Sequence, residues 1–329
     1  MSGNRPQPRP SSRECSLLGA ALHSPRSPGA SFLGVGVGLR PKHYPCILAE
    51  TDPRALGVDF FEALSENYMV PGGRPLRVLS EVAARFPIVL HGVSLNIGSA
   101  DPLNEDYLAE LKALSQRFEP AIVSDHLCWT GVHGRNLHDL VPLPFTEATL
   151  CYVADRVRRV QDHLGRRLAL ENVSSYFAYT TNAMPEWEFL AGIAERADCG
   201  ILLDVNNIFV SAHNHGFDPT DYLARISPER VFQIHLAGHS TQGELLIDTH
   251  DHPIREEVWL LYAAALRRTG PVSTLIEWDD AIPAFPILAA EAARARAILE
   301  RESKEALHER SRARPGVAAT ATLAADQRP

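Results

Sequence analysis

Six short apolar runs in this 329-residue sequence end in residues that bind cations or move protons. His91 closes Ile88-Val89-Leu90, and Asp125-His126 closes Ile122-Val123-Ser124. Glu171-Asn172 follows Leu168-Ala169-Leu170, and Asp204 follows Ile201-Leu202-Leu203 with Asn206 and Asn207 just behind it. His235 ends Val231-Phe232-Gln233-Ile234, and Glu277 ends Thr274-Leu275-Ile276. A single polar terminus on a buried strand is usually a core group with a satisfied partner. Six of them on separate runs are hard to assemble from structural accidents. Crowded together bare, three imidazoles and several carboxylates repel one another or lose hydration at a cost. A divalent cation reverses that balance, because it supplies positive charge and coordinates neutral imidazole.

Downstream, Asp248-Thr249-His250 sets an acid and an imidazole two residues apart, a spacing that an extended loop can aim at one ion. Six of the 14 histidines fall between His213 and His252, so this loop region belongs to the expected site. His133, His138, His163, His213, His215 and His252 read as surface or supporting groups, and Cys128 as a packed thiol.

Residues so far apart converge only if the runs are strands of one sheet. Eight runs are rich in β-formers: 34–40, 58–64, 87–93, 121–127, 168–173, 200–205, 231–238 and 272–278. They alternate with helical stretches such as Glu105–Arg117, Glu147–Leu164 and Trp187–Arg196, whose apolar residues recur three or four apart. Helix starts are marked at Thr146-Glu147 and at Asp218-Pro219-Thr220. The count of eight points to a (β/α)8 TIM barrel, in which every strand opens on one C-terminal face. An open dinucleotide-binding sheet is disfavoured, since no Gly-x-Gly-x-x-Gly turn follows the first strand; Gly34-Val35-Gly36-Val37-Gly38 lies within it.

The barrel is expected over residues 33–302, between a disordered segment 1–32 rich in Pro, Ser, Arg and Gly and a loosely ordered tail 303–329. Hydrophobic residues at 45% and charged residues at 22% are those of a soluble globular chain, and no apolar run is long enough for a membrane helix. No signal-peptide pattern opens the sequence. Five widely spaced cysteines, an odd number, suggest reduced thiols and a cytoplasmic location. A net charge of −8 without a basic stripe counts against a nucleic-acid partner.

The ligand order His, His, Glu, Asp, a residue three further on, His, Asp-x-His, Glu resembles the endonuclease IV type of metal barrel. That resemblance implies one ion on His91, His126 and a bridging Glu171. A second would lie on Glu171, Asp204, His235 and Glu277, and a third on Asn207, Asp248 and His250. The nuclease pattern has His where this chain has Asn207, a weaker ligand. The local phrases resemble a closer family, the multinuclear non-haem iron enzymes similar to the methanobactin oxidase MbnB and to TglH. They include Ser65-Glu66-Asn67-Tyr68-Met69, His91-Gly92-Val93-Ser94-Leu95, Ser124-Asp125-His126-Leu127 and Leu170-Glu171-Asn172-Val173-Ser174-Ser175-Tyr176. Gly38-Leu39-Arg40-Pro41-Lys42-His43-Tyr44, Leu203-Asp204-Val205-Asn206-Asn207, Ile234-His235-Leu236-Ala237-Gly238-His239 and Glu277-Trp278-Asp279 complete the set.

This family likeness implies two or three iron ions, dioxygen, and oxidative modification of cysteine in a ribosomally made precursor peptide presented by a separate partner protein. Zinc or manganese also suits a nitrogen and oxygen ligand set. The family likeness further implies Asp125, Lys42, His43, Glu66, Asn67 and Asn172 as catalytic or substrate-orienting candidates, and His239 as a supporting group or an additional ligand for the third ion. Three other readings stand beside it: a metal-dependent phosphodiesterase of endonuclease type, a sugar isomerase on the same barrel, and a metal-binding partner without turnover.

Overall fold

The computed structural model describes residues 30–313, and the expectations for residues 1–29 and 314–329 lie outside it. Eight parallel strands close into a barrel: β1 (Val35–Gly38), β2 (Phe61–Leu64), β3 (Ile88–Gly92), β4 (Val123–His126), β5 (Ala169–Glu171), β6 (Gly200–Asp204), β7 (Val231–Leu236) and β8 (Ser273–Ile276). Each pairs with its chain neighbours, and β1 closes the ring on β8 with Val35 opposite Thr274. All eight lie inside the runs read from the sequence.

Successive side chains on a strand point to opposite faces, so residues two apart share a face. One layer of the core is built from Phe60, Val89, Ile122, Ala169, Leu202, Phe232 and Leu275, at most one residue per strand. Two residues further along the same strands stand Glu62, His91, Ser124, Glu171, Asp204 and Glu277. The strands therefore carry an apolar plug below and a polar layer directly above it. β7 reaches the same layer by an irregularity: Ile201 faces Val231 but the next residue, Leu202, faces Gln233. The extra residue Phe232 stays with the apolar layer, and beyond it Gln233 and His235 share a face.

The helices follow their predicted positions closely. Glu147–Leu164 begins at Thr146, whose hydroxyl accepts from the Thr149 amide, and ends in Gly165 at φ 69°. Glu105–Phe118 is capped by Asn104 and Pro219–Arg225 by Asp218. The last helix, Phe285–Ala313, continues past residue 302, where the tail was expected to loosen. Glu302 is buried there and binds Arg267 at 3.0 Å and Arg301 at 2.9 Å, which holds the helix beyond the boundary that composition suggests. Cys46, Cys128 and Cys199 are free thiols.

Two antiparallel hairpins rise from the C-terminal face, Trp129–Val132 with Arg135–Val141 after β4 and Ser240–Gln242 with Leu245–Ile247 after β7. The segment after the second hairpin is stitched to the barrel. His250 donates its amide to the Gly238 carbonyl at 3.1 Å, and Asp279 donates to the His250 carbonyl at 2.8 Å. Gly238 lies so close to this segment that a Cβ there would stand 2.0 Å from the His252 carbonyl oxygen. Gly238→Ala must therefore push the 248–252 segment away. It is expected to cost about 1–3 kcal/mol of stability by overpacking and to weaken divalent-metal binding at His250, read by thermal melting and metal titration.

Candidate metal centre

The strand ends bring three groups of ligand-type atoms within 4.8 Å of one another: His91, His126 and Glu171; then Glu171, Asp204, His235 and Glu277; then His250, Glu277 and Asp279. Glu171 belongs to the first two and Glu277 to the last two, so the groups form one connected centre. The first two sets are those implied by the ligand order. The third differs from it. His250 sets Nδ1 3.4 Å from Glu277 and 3.3 Å from Asp279, while its Nε2 stands 2.7 Å from Asp248. His250 therefore has Asp248 of the expected pair on one side and Glu277 with Asp279 on the other, and Asn207 lines the same cavity.

The first group shows how its ligand atoms are aimed. His91 Nδ1 hydrogen-bonds Ser124 Oγ at 2.8 Å, and His126 Nδ1 donates to the Gly92 carbonyl at 3.1 Å. Both Nε2 atoms are thereby turned to Glu171 Oε2, at 3.2 and 3.3 Å. Outer hydrogen bonds of this kind fix the tautomer and ring plane of metal-binding histidines. Asp204 is aimed by its helix: Oδ1 accepts from the Asn207 amide at 2.5 Å as the cap of Val205–His215.

A test of whether cations fit comes from atoms left without partners. Buried polar atoms normally find a hydrogen bond. Here His91 Nε2, Glu171 Oε2, Asp204 Oδ2, Asn207 Oδ1 and His250 Nε2 are buried and make none within the protein. All five are nitrogen or oxygen atoms of the kind that coordinate hard or borderline cations, and Glu171 lies in one ligand group with His91 and in another with Asp204. The residues fit a metal centre built from nitrogen and oxygen donors.

Electrostatics of the metal-free chain point the same way. Burial, with the neighbouring His126, holds His91 well below the usual imidazole range, and burial also lowers His126, so both are neutral ligands. Burial drives Glu171 well above the carboxylate range, and burial with the nearby Asp248 pushes Asp204 up to about 7. Burial alone would depress His235, but Glu62, Glu277 and Glu171 around it raise it well above normal. His250 is raised in the same way by Asp248 and Glu277. Protons thus occupy positions where cations would provide the compensating charge.

The cavity above these groups has a volume of about 550 Å³. The barrel contributes Glu62, His91, His126 and Glu277 to its wall, and the first hairpin contributes Asn136, His138, Asp139 and Leu140. Arg40 stands at the rim, ion-paired with Asp279.

Five of the six catalytic or substrate-orienting candidates hold backbone beside the cavity and are not among the residues that line it. Lys42 donates to the Ile282 carbonyl and His43 Nε2 meets the Pro283 carbonyl at 2.9 Å, clamping the loop after β8. Glu66 Oε1 accepts from the amides of Val93 and Ser94 and from the Tyr107 hydroxyl. Asp125 is buried behind His126 and accepts from the amides of His126 and Leu95. The Asn172 amide pairs at both ends with the Asp204 backbone, at 2.9 Å each way. Loop backbone needs such partners, and these side chains supply them. His239, expected as a supporting group or an additional ligand, lies outside the three groups, with its buried Nε2 left without a partner. Its Nδ1 meets Asn206 Oδ1 at 2.7 Å, and Asn206 in turn donates to Asp248 at 2.6 Å. Cys128 is a buried thiol, as expected.

Three contributors escaped the sequence reading. Asp279 was part of a quoted motif without a role. Glu62 and Gln233, both buried, stand against His235. Glu62 had a readable signal, a carboxylate two residues after Phe60 and flanked by Phe61, Ala63 and Leu64.

Fold and centre together define a (β/α)8 barrel with a multi-carboxylate, multi-histidine site at its C-terminal mouth. The chain belongs to the family of RiPP precursor modification enzymes MbnB/TglH/ChrH, whose model matches residues 34–300. A UPF0276 protein of Anaeromyxobacter sp. (strain Fw109-5) is 59% identical over 264 residues, 80% of this chain and 92% of that protein. A UPF0276 protein of Acaryochloris marina (strain MBIC 11017) is 52% identical over 262 residues, 80% and 93% of the two chains. Among solved structures, an L-ribulose 3-epimerase matches with a TM-score of 0.55 at 16% identity, over 88% of this chain and 99% of that one. A xylose isomerase-like TIM barrel protein from Mycobacterium smegmatis, in complex with magnesium, also reaches 0.55, at 13% identity over 82% and 98%. These two likenesses establish the barrel. No helix among the described residues is long and apolar enough to cross a membrane.

Two outcomes follow from the shared ligands and the held protons. Glu171→Ala should abolish binding of two ions per chain, whereas His126→Ala should weaken one, as counted by elemental analysis after dialysis. Binding divalent metal at pH 7 should release on the order of two protons per chain, since Glu171, Asp204, His235 and His250 are raised. Folded, these groups keep protons that the unfolded chain has lost, so metal-free protein loses stability as pH rises from the ordinary carboxylate range through about 7, where Asp204 gives up its proton. Calorimetry in buffers of different ionisation enthalpy reads the release; metal binding without it contradicts this charge balance.

Proposed function

We propose that this protein is an iron-dependent oxidase that modifies cysteine residues of a ribosomally made precursor peptide, with a separate protein presenting the peptide. Family membership supports the peptide substrate, and one observation carries the chemistry: partnerless nitrogen and oxygen atoms converge at the floor of an open cavity. His91, His126 and Glu171 would hold one ion, and Glu171, Asp204, His235 and Glu277 a second. His250 would hold a third with Glu277 and Asp279 or with Asp248 and Asn207. Iron bound there would supply one-electron redox chemistry with dioxygen and would favour the thiolate form of a substrate cysteine.

The protein's own side chains set the conditions for that chemistry. No cysteine contributes to the three ligand groups, which leaves thiolate coordination to the substrate. The barrel floor below is apolar and closed, so the reacting sulfur is approached from the mouth alone. Asp139, Asp248, Glu277, Asp279 and Glu62 line the cavity against the single guanidinium of Arg40.

Protein purified without air and loaded with iron(II) should consume dioxygen only with a precursor peptide and its presenting protein. Mass spectrometry should place the change on a cysteine, and the Cys→Ser peptide should be inert. Stoichiometric zinc with full phosphodiesterase activity, or isomerisation of a free sugar, would overturn this reading.

A further inference from the structure

The second ligand group has a neighbour whose role its own ligands leave open. Glu62 is buried and stands in the polar layer of the barrel, two residues above Phe60. Its Oε2 lies 3.0 Å from His235 Nε2 and accepts from the Gln233 amide at 2.6 Å. On the opposite side of the same imidazole, His235 Nδ1 lies 3.0 Å from Glu277 Oε2 and 3.7 Å from Glu171 Oε1. The ring is thus held between one carboxylate outside the ligand groups and two within them.

An imidazole that binds a cation offers a lone pair on one nitrogen and carries its proton on the other. Nδ1 is the nitrogen facing the other ligands, so the proton must sit on Nε2, where Glu62 is in place to accept it. Gln233 competes in principle, since its Nε2 lies 2.9 Å from His235 Nε2. Were it to donate there, the proton would move to Nδ1 and the lone pair would turn away from the group. Glu62 prevents this by taking the donations of both residues on one oxygen. We propose that Glu62 is a positioning residue: it fixes His235 with its proton on Nε2 and its Nδ1 lone pair turned to Glu171, Asp204 and Glu277. Gln233 completes the arrangement by holding the Glu62 carboxylate in place. This rests on the metal centre alone and not on the reaction proposed for it, so the two fail independently.

The test uses zinc, which is diamagnetic, on the full chain. Long-range proton–nitrogen spectra of the histidine-labelled, zinc-loaded protein should show His235 protonated at Nε2 and bound through Nδ1. A proton on Nδ1 overturns the proposal without need of any variant. Glu62→Ala should weaken zinc binding at one ion by about 10- to 100-fold, while Glu62→Gln, which keeps an acceptor oxygen, should recover most of that loss. Unchanged zinc affinity in Glu62→Ala would overturn the proposal. So would a loss in Glu62→Gln as large as in Glu62→Ala, because it would make the carboxylate a ligand in its own right.

Discussion

Everything at the mouth of this barrel depends on the cost of crowding lone pairs away from water. Buried acceptors without partners are destabilising, and buried like charges are more so. The chain nevertheless gathers His91, His126, Glu171, Asp204, His235, His250 and Glu277 in one connected cluster. In the metal-free chain the conflict is eased by protons on Glu171, Asp204, His235 and His250. Divalent cations ease it better, because each reaches several acceptors at once.

The barrel makes that crowding affordable through a simple repeat. An apolar layer seals the interior, and the next inward position on most strands carries a polar group. The groups rest on strands, the stiffest part of the fold, and their outer faces are fixed by Ser124, the Gly92 carbonyl and the Asn207 amide. Above them the first hairpin and residues 248–250 form the cavity wall. Solved sugar epimerases share the barrel at 16% identity or less, so fold alone does not choose the reaction.

The eight strands and the ligands at their ends were legible because a charged end on an apolar run conflicts with burial. What Lys42, His43, Glu66, Asp125 and Asn172 hold was not legible: each meets backbone beside the cavity. A polar residue near a strand end either faces the cavity or supports loop backbone, and the loop path decides which. Asn172 shows it, its amide fully engaged by the Asp204 backbone one strand away. Glu62 was missed because attention fell on run ends and not on the two-residue step from the apolar layer. Gln233 was harder still: its inward face depends on the extra residue Phe232, which no local pattern announces. The third ligand group was read in part, since Asp279 comes from a loop whose course depends on the His250 carbonyl.

Anomalous diffraction from crystals of iron-loaded protein addresses the central claim most directly. It should show one peak between His91, His126 and Glu171, and a second between Glu171, Asp204, His235 and Glu277. Crystals that hold iron elsewhere, or that keep these side chains hydrogen-bonded to one another with no peak among them, would contradict it.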